Sequence, residues 1–272
     1  MGQGEQSGAP RVDTHTPSVA RMYDWLLGGV DNYRSDRDAC AELLEIVPDS
    51  QALALNNRAF LRRVVRFLAE ETGIRQFLDH GSGLPTLDNV HEIAQRVDPA
   101  SRVVYIDNDP IVSAHGRTRL EQNRQTAVVQ ADMTDTAAIF AHDEVRRLIR
   151  PDEPTAALFV SVLHCLKDEQ VLPMLHRVKR ELAPGSIFVI CQLVSERADI
   201  RDRVTGLMAD ATHGSWGRVR AKAEVAAYFD DLGVTVREPG LVNVTTWRAD
   251  TEVVPRQRTD DWEEWGGIAL LP

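Results

Sequence analysis

From Arg75 onward, short apolar runs alternate with helical periodicities, and this alternation constrains the fold more than any other feature of the chain. The runs are Gln76–Asp79, Arg102–Asp107, Ala127–Ala131, Thr155–Ser161 and Ser186–Cys191. Helical segments are predicted between them near Leu87–Val97, Pro110–Leu120, Thr136–Ile149 and Asp168–Leu182. Strings such as Val103-Val104-Tyr105-Ile106 and Leu158-Phe159-Val160 show no polar alternation, which suits strands covered on both faces. Repeated β–α units of this kind build an open parallel sheet with right-handed crossovers. The predicted fold class is therefore α/β, a doubly wound, mostly parallel sheet. Beyond it come a helix around Ala221–Phe229 and strand-like Val234–Val236, Val242–Val244 and Ile268–Leu271.

The part before Arg75 reads differently. Residues 1–16 carry Gly, Gln, Ser and Thr with almost no bulky apolar groups, and a mobile tail is expected there. Residues 17–73 hold three helical signals. Val19, Met22, Trp25 and Leu26 share a helical rhythm that stops at Gly28-Gly29. Ser35 with Asp38 predicts a capping box for a helix through Leu43 and Val47, closed by Pro48. Ser50 is placed to cap a third helix bearing Leu53, Phe60, Leu61, Val64, Val65 and Leu68, ended by Gly73.

Composition removes several classes of function. The chain has 272 residues, enough for a large core without disulfide or metal support. With 31 basic against 41 acidic residues its formal charge is −10, which disfavours phosphate backbones and anionic membranes. Neither Ala156–Leu166 nor Ile187–Val194 is long enough to span a bilayer, and the N-terminus lacks a secretory apolar region. Cys40, Cys165 and Cys191 are too few and scattered for a disulfide framework or a Cys-rich zinc site, so no metal site is expected. A cytoplasmic protein without nucleic-acid or membrane partners is the expectation.

In such a sheet ligands bind beyond the carboxyl ends of the strands, so the residues following each strand carry the site. After the first come Asp79-His80-Gly81-Ser82-Gly83-Leu84-Pro85-Thr86, where Gly81 and Gly83 permit a tight turn and close backbone approach. After the second come Asp107-Asn108-Asp109-Pro110. A carboxylate there can accept both hydroxyls of a ribose, and Asp107 leads Asn108 and Asp109 for that role. After the third come Asp132-Met133, a polar and an apolar group that suit an adenine edge and face, although Asp132 can equally cap the next helix. Together these loops describe an adenosine-containing cofactor. A nicotinamide dinucleotide favours G-x-G-x-x-G around its pyrophosphate, but the third position here is Thr86. S-adenosylmethionine has no phosphate and offers an ammonium, beside which Asp79 is an asset. The charge argument selects S-adenosylmethionine.

The same residues carry a family resemblance. Asp79–Gly83 followed by Asp107 and Asp132 resembles the Rossmann-like S-adenosylmethionine-dependent methyltransferases, whose sheet is seven-stranded. More narrowly, the chain is similar to a mainly actinobacterial family of methyltransferase-like proteins long known only as a domain of unknown function. The matching strings are Ala20-Arg21-Met22-Tyr23-Asp24-Trp25-Leu26-Leu27-Gly28-Gly29, Asp31-Asn32-Tyr33, Asp36-Arg37, Asn56-Asn57-Arg58, Gln76-Phe77-Leu78-Asp79, Gly83-Leu84-Pro85-Thr86, Asn89-Val90-His91-Glu92 and Val104-Tyr105-Ile106-Asp107-Asn108-Asp109-Pro110. The similarity runs from about Pro17 to about Trp247. His80 replaces an aliphatic residue, and the tail from Gly266 to Pro272 lacks the family's basic residues. The resemblance implies an S-adenosylmethionine-binding domain over 74–272, preceded by a helical cap over 17–73. It names no acceptor and no oligomeric state.

The remaining chemistry is weighed against plainer readings. Arg21, Asp24, Asn32 and Asp36 give the first helices more polar chemistry than packing requires. A cap folding over the cofactor is expected, with Arg21, Tyr23 and Asn32 toward the acceptor. Ser161 and His164 follow the fourth strand, where related enzymes place acceptor-facing groups, and Ser161 is also expected among the cofactor-binding residues. His164, or Tyr23, is a candidate base, and a structural histidine is the alternative. His91-Glu92 begins like a zinc-protease helix, but Gln95 stands where the second His is needed. Cys165 reads as a small buried residue, and Arg62-Arg63 and Arg146-Arg147 as solvated helix faces. In-line methyl transfer to a small-molecule acceptor is the expected function. A non-catalytic module binding S-adenosylmethionine or S-adenosylhomocysteine is the first alternative, and a nicotinamide-dependent oxidoreductase the second.

Overall fold

Five parallel strands dominate the computed structural model, which describes residues 13–249 and 257–272. They are β1 (Gln76–His80), β2 (Arg102–Asp107), β3 (Thr126–Gln130), β4 (Ala156–Val160) and β5 (Ile187–Val194). β8 (Glu263–Leu270) pairs antiparallel with β5, and two-residue strands β6 (Thr235–Val236) and β7 (Val242–Asn243) both pair with β8. The strand order is β3-β2-β1-β4-β5-β8-β6, with β7 off that path. The expected seven-strand path is present, with a short eighth strand added.

Helices α1 (Val19–Leu26), α2 (Arg34–Ile46) and α3 (Ser50–Glu71) precede the sheet. The crossovers contain α4 (Val90–Val97), α5 (Pro110–Arg119), α6 (Thr136–Ala141), α7 (Asp143–Leu148) and α8 (Asp168–Glu181). After β5 come α9 (Ala198–Ala211) and α10 (Lys222–Leu232). Alternate strand residues serve opposite faces, as the strand period of two requires. Phe77, Tyr105, Leu158 and Val189 pack with α3 and α4. Leu78, Val104 and Ile106 pack with α7, while Phe159, Phe188 and Ile190 pack with α8 and α10. Burial on both faces is why these strands lack polar alternation.

Several local expectations change. The expected tail falls mostly on 1–12, outside the described residues, but 13–16 are tied to the cap. Arg21 donates to the carbonyls of Asp13 (3.1 Å) and Thr16 (2.6 Å), and Ser35 Oγ to that of Thr14 (2.9 Å). Ser35 therefore does not cap α2. Asp36 closes its first turn instead, accepting the Tyr33 N–H at 2.8 Å, while the cap of α3 is Asp49 rather than Ser50. The helix expected over 136–149 breaks at His142, whose extended backbone starts α7. Arg63 is no surface residue: it is 4% exposed and donates to the carbonyls of Trp247 (3.0 Å) and Val244 (2.6 Å). These bonds staple the segment entering the last strand to α3.

Helix α9 was not expected. Its periodicity is weak because only Ile200, Val204 and Met208 are buried. Those residues join Met22, Leu43, Leu53 and Trp262 in a separate cluster, so the cap is built from both ends of the chain. Among the described residues, no helix is long and apolar enough to cross a membrane.

The pairing of β5 with β8 is tight at Gly266, where a Cβ would lie 2.0 Å from the Ile190 carbonyl oxygen. Backbone cannot yield there as a side chain can. Gly266→Ala is expected to destabilise the protein by roughly 2 kcal/mol or more, read as a lower denaturant midpoint with unchanged slope.

Candidate active site

The chain turns one way from β1 to β2 and the other way to β4, so the loops leaving β1 and β4 diverge and leave a crevice. Residues following β1, β2, β3 and β4 all line one cavity of about 1110 Å³, walled on the far side by α1, α3 and α9. Ligand pockets commonly measure about 300–1,000 Å³, so there is space for a cofactor and a second molecule.

At one end lies the glycine turn. Gly81 (φ +70°) and Gly83 (φ +66°) occupy the left-handed region, where glycine carries no steric penalty. The N–H groups of Gly81 and Ser82 both reach the Ile106 carbonyl, at 2.8 and 3.1 Å, which pins the turn to β2. A Cβ on Gly83 would meet nothing within 4 Å, and the buried Ser82 Oγ has no partner. Asp107 borders the cavity and accepts the N–H groups of Gly83 and Asp109, both at 2.9 Å. Asp109 is committed elsewhere. It caps α5 through the Ile111 N–H (2.8 Å) and accepts the Ser18 hydroxyl (2.7 Å), which joins the cap to the sheet.

Asp79 lines the cavity at 7% exposure, and among the described residues no hydrogen bond holds its carboxyl. Burial pushes its pKa up to about 7; the nearby Arg58 guanidinium opposes this and Asp107 adds to it. Burial likewise raises Asp107 to about 6, against the two N–H donors. Asn108, Asp132 and Met133 line the same space. Asp132 does not cap the next helix: its Oδ1 accepts the N–H and hydroxyl of Thr134, both at 2.8 Å, and Asp135 caps α6.

Ser161, Glu264 and the cap also border the cavity. Ser161 has φ +56°, uncommon for a residue with a Cβ, and its hydroxyl donates to Glu264. Burial pushes Glu264 up to about 8. Tyr23 borders the cavity too, its hydroxyl donating to the Ala54 carbonyl (3.1 Å) and accepting from Asn57 Nδ2 (2.8 Å). Burial holds that phenol far above its usual range, so Tyr23 is a donor and not a base.

Three expectations need correction. His164 reaches the cavity wall, but its Nδ1 accepts the Leu193 N–H (3.3 Å) and its ring packs on Trp216, with centroids 4.9 Å apart. Burial lowers it to about 3, so the imidazole is a neutral structural group. Asn32 lies away from the cavity, donating to Asp24 (2.9 Å) and the Gly29 carbonyl (3.0 Å). Arg21 borders the cavity, yet its Nε is spent on Asp36 at 2.8 Å. The polar surplus of the first helices builds the cap rather than facing an acceptor. His80, odd within the glycine turn, stacks on Phe159 with ring centroids 4.5 Å apart, and burial holds it neutral.

Arg58, Asn57, Met208, Trp262 and Glu264 line the cavity without having been singled out as site residues. Only Asn57 and Arg58 left a trace in the sequence, as a polar string inside an apolar helical stripe.

The buried acids set a pH dependence. A carboxyl whose folded pKa is raised stabilises the fold fully at low pH and progressively less as pH climbs from its ordinary value to its folded one. For Asp79, Asp107 and Glu264 that window ends at about 7, 6 and 8. The carboxyls lowered by arginines, such as Asp168 and Glu224, finish ionising below it. Burial lowers His80 and His164, which add stability as pH rises to about 6.5 and oppose the acids below that point. The ligand-free melting temperature is thus expected to fall between about pH 6.5 and pH 8. Asp79→Asn should raise it at pH 8 far more than at pH 5.

The strand order, the glycine turn after β1 and the acid after β2 define a Rossmann-like methyltransferase fold. The chain belongs to the S-adenosyl methyltransferase family, whose model matches residues 5–272. Its cofactor is S-adenosylmethionine and its class of reaction is methyl transfer. A protein from Thermobifida fusca described as a candidate methyltransferase is 37% identical; the match covers 95% of this chain and 96% of that one, with a TM-score of 0.86. A DUF574 family protein from Streptomyces avermitilis is 35% identical, over 96% and 100% of the two chains, also with a TM-score of 0.86. No protein of curated function matches the sequence.

Proposed function

We propose that this enzyme methylates a small apolar acceptor held between its helical cap and the carboxyl ends of β4 and β5. The observation that carries the reading is a single cavity with two unlike ends. Acids and a glycine turn border one end, while Met208, Trp216 and Trp262 border the other.

The residues at the first end fit S-adenosylmethionine. Asp79 is a cavity-lining carboxyl without a partner, suited to the ammonium, and Arg58 stands near it for the carboxylate. Asp107 retains acceptor capacity for ribose hydroxyls. The open space at Gly83 admits a ligand against the turn, and Asn108, Asp132 and Met133 would border the base. When bound, this cofactor supplies a methyl group on a cationic sulfur. The chain's own work is to fix two reactants in line and to exclude water. Helices α1 and α9 do this by covering the crevice, and the Ser18–Asp109 bond holds the cover down. The three free cysteines suit a reducing compartment such as the cytoplasm. Neither a nicotinamide oxidoreductase nor a module without turnover is favoured by the family.

Calorimetric titration with S-adenosylmethionine tests the cofactor assignment. Asp79→Asn is expected to weaken binding about tenfold or more, equivalent to about 1.4 kcal/mol. An ammonium lowers the pKa of a neighbouring carboxyl, so affinity should rise from pH 6 to pH 8 with release of a proton. Unchanged affinity in the variant, at both pH values, would remove Asp79 from the site.

A further inference from the structure

Glu264 is out of keeping with its surroundings. It sits on β8 opposite Leu193 of β5, is 2% exposed, and lines the cavity near Trp262. One carboxyl oxygen accepts the Ser161 hydroxyl; the other, Oε2, is buried without a hydrogen-bond partner among the described residues, although the Cys191 thiol lies beside the carboxyl. No salt bridge reaches it among the described residues, although its neighbour Glu263 pairs with Lys222 at 2.5 Å. A buried acid without a cation is costly, and an aliphatic residue would remove that cost. Ser161, held in an uncommon backbone conformation, spends its hydroxyl on keeping the carboxyl in place.

We propose that Glu264 binds the hydroxyl of an aromatic acceptor and removes its proton as the methyl group is transferred, with Ser161 as its positioning residue. This rests on the methyl-transfer reading. The acceptor oxygen forms a bond to the methyl carbon, the carbon–sulfur bond breaks with its electron pair remaining on sulfur, and the proton passes to the Glu264 carboxylate. That proton leaves to water once the product departs. Apolar and aromatic walls at Met208, Trp216 and Trp262 match the ring, and a single carboxylate matches a single donor.

The acidity of Glu264 agrees with this role. Burial brings it to about 8, close to a phenol at about 10, whereas an ordinary carboxylate is far too weak a base. The titratable groups facing it are Tyr23 from α1, Cys165 from the turn after β4, and Cys191 from β5. Burial holds all three protonated, so Glu264 is the group that titrates.

The probe is 2-naphthol, compared with 2-methoxynaphthalene, on the full chain saturated with S-adenosylhomocysteine. Thermal stabilisation by S-adenosylhomocysteine is measured first for wild type, Glu264→Gln and Ser161→Ala. Its absence from wild type would refute the cofactor reading, and its loss only in Glu264→Gln would assign Glu264 to the cofactor and overturn this proposal. With that stabilisation intact, wild type is expected to bind 2-naphthol at least tenfold more tightly than the methyl ether. The hydrogen bond to the Glu264 carboxylate should shift the naphthol absorption band to the red on binding near pH 8. Glu264→Gln should lose both the preference and the shift, and Ser161→Ala should weaken them. Methylation of 2-naphthol by Glu264→Gln should recover as pH approaches 10, where the probe ionises unaided. Equal binding of alcohol and ether, failure of 2-naphthol to bind wild type, or a red-shifted band that persists in Glu264→Gln would each overturn the proposal.

Discussion

Burying a carboxyl away from water carries a high free-energy cost, and the way this chain meets that cost separates its scaffold from its site. Asp36 is fully buried, yet it takes the Arg21 guanidinium and the N–H groups of Ser18 and Tyr33. Asp49 takes the N–H groups of Arg258 and Thr259. Such acids are scaffold: Asp36 uses both of its oxygens, Asp49 takes both N–H groups on one, and the chain around them is fixed. Asp79 and Glu264 are different, since their oxygens are only partly met inside the protein and their protons are held correspondingly tightly. Acids of this second kind border the cavity, which is where a ligand can complete them.

Cap and sheet depend on one another through a small number of long-range contacts. Residues α1 and α2 alone would present Met22 and Leu43 to water; α9, arriving from beyond β5, and Trp262, from the approach to β8, bury them. The Ser18–Asp109 bond and the arginine staple from Arg63 then tie the N-terminal helices to the sheet at two separate places. An enclosed crevice follows from this arrangement, and enclosure is what a methyl donor prone to reaction with water requires.

Much of the architecture was legible because strands covered on both faces announce themselves as unbroken apolar runs. The five parallel strands fall within a residue or two of the runs at their starts, and β5 extends further. Legibility failed where a signal was local and had competitors. Ser35 and Asp38 satisfied a capping pattern, but Tyr33 and Asp36 capture the helix start because Asp36 also pairs with Arg21. Arg63 resembled half of a solvated pair until its position on α3 placed it under the Val244–Trp247 segment. Polar residues of the first helix suggested a surface facing an acceptor; in three dimensions Asn32 and Asp24 satisfy each other.

By itself the sequence determined the strand ends and the chemistry placed directly on them: the glycine turn, Asp79, Asp107 and the Asp132-Met133 pair. Turn-forming glycines and acids sit where the strand stops, so their positions follow from near neighbours along the chain. Only the tertiary structure decided that Glu264 meets Ser161, that the Arg58 charge acts on Asp79, and that His164 is structural rather than reactive. Those outcomes depend on an antiparallel strand from the end of the chain inserting beside β5 and on helices closing over the crevice. Contacts between residues so far apart leave no periodic or spacing signal, because the free energy that brings them together is spread across the whole packed core.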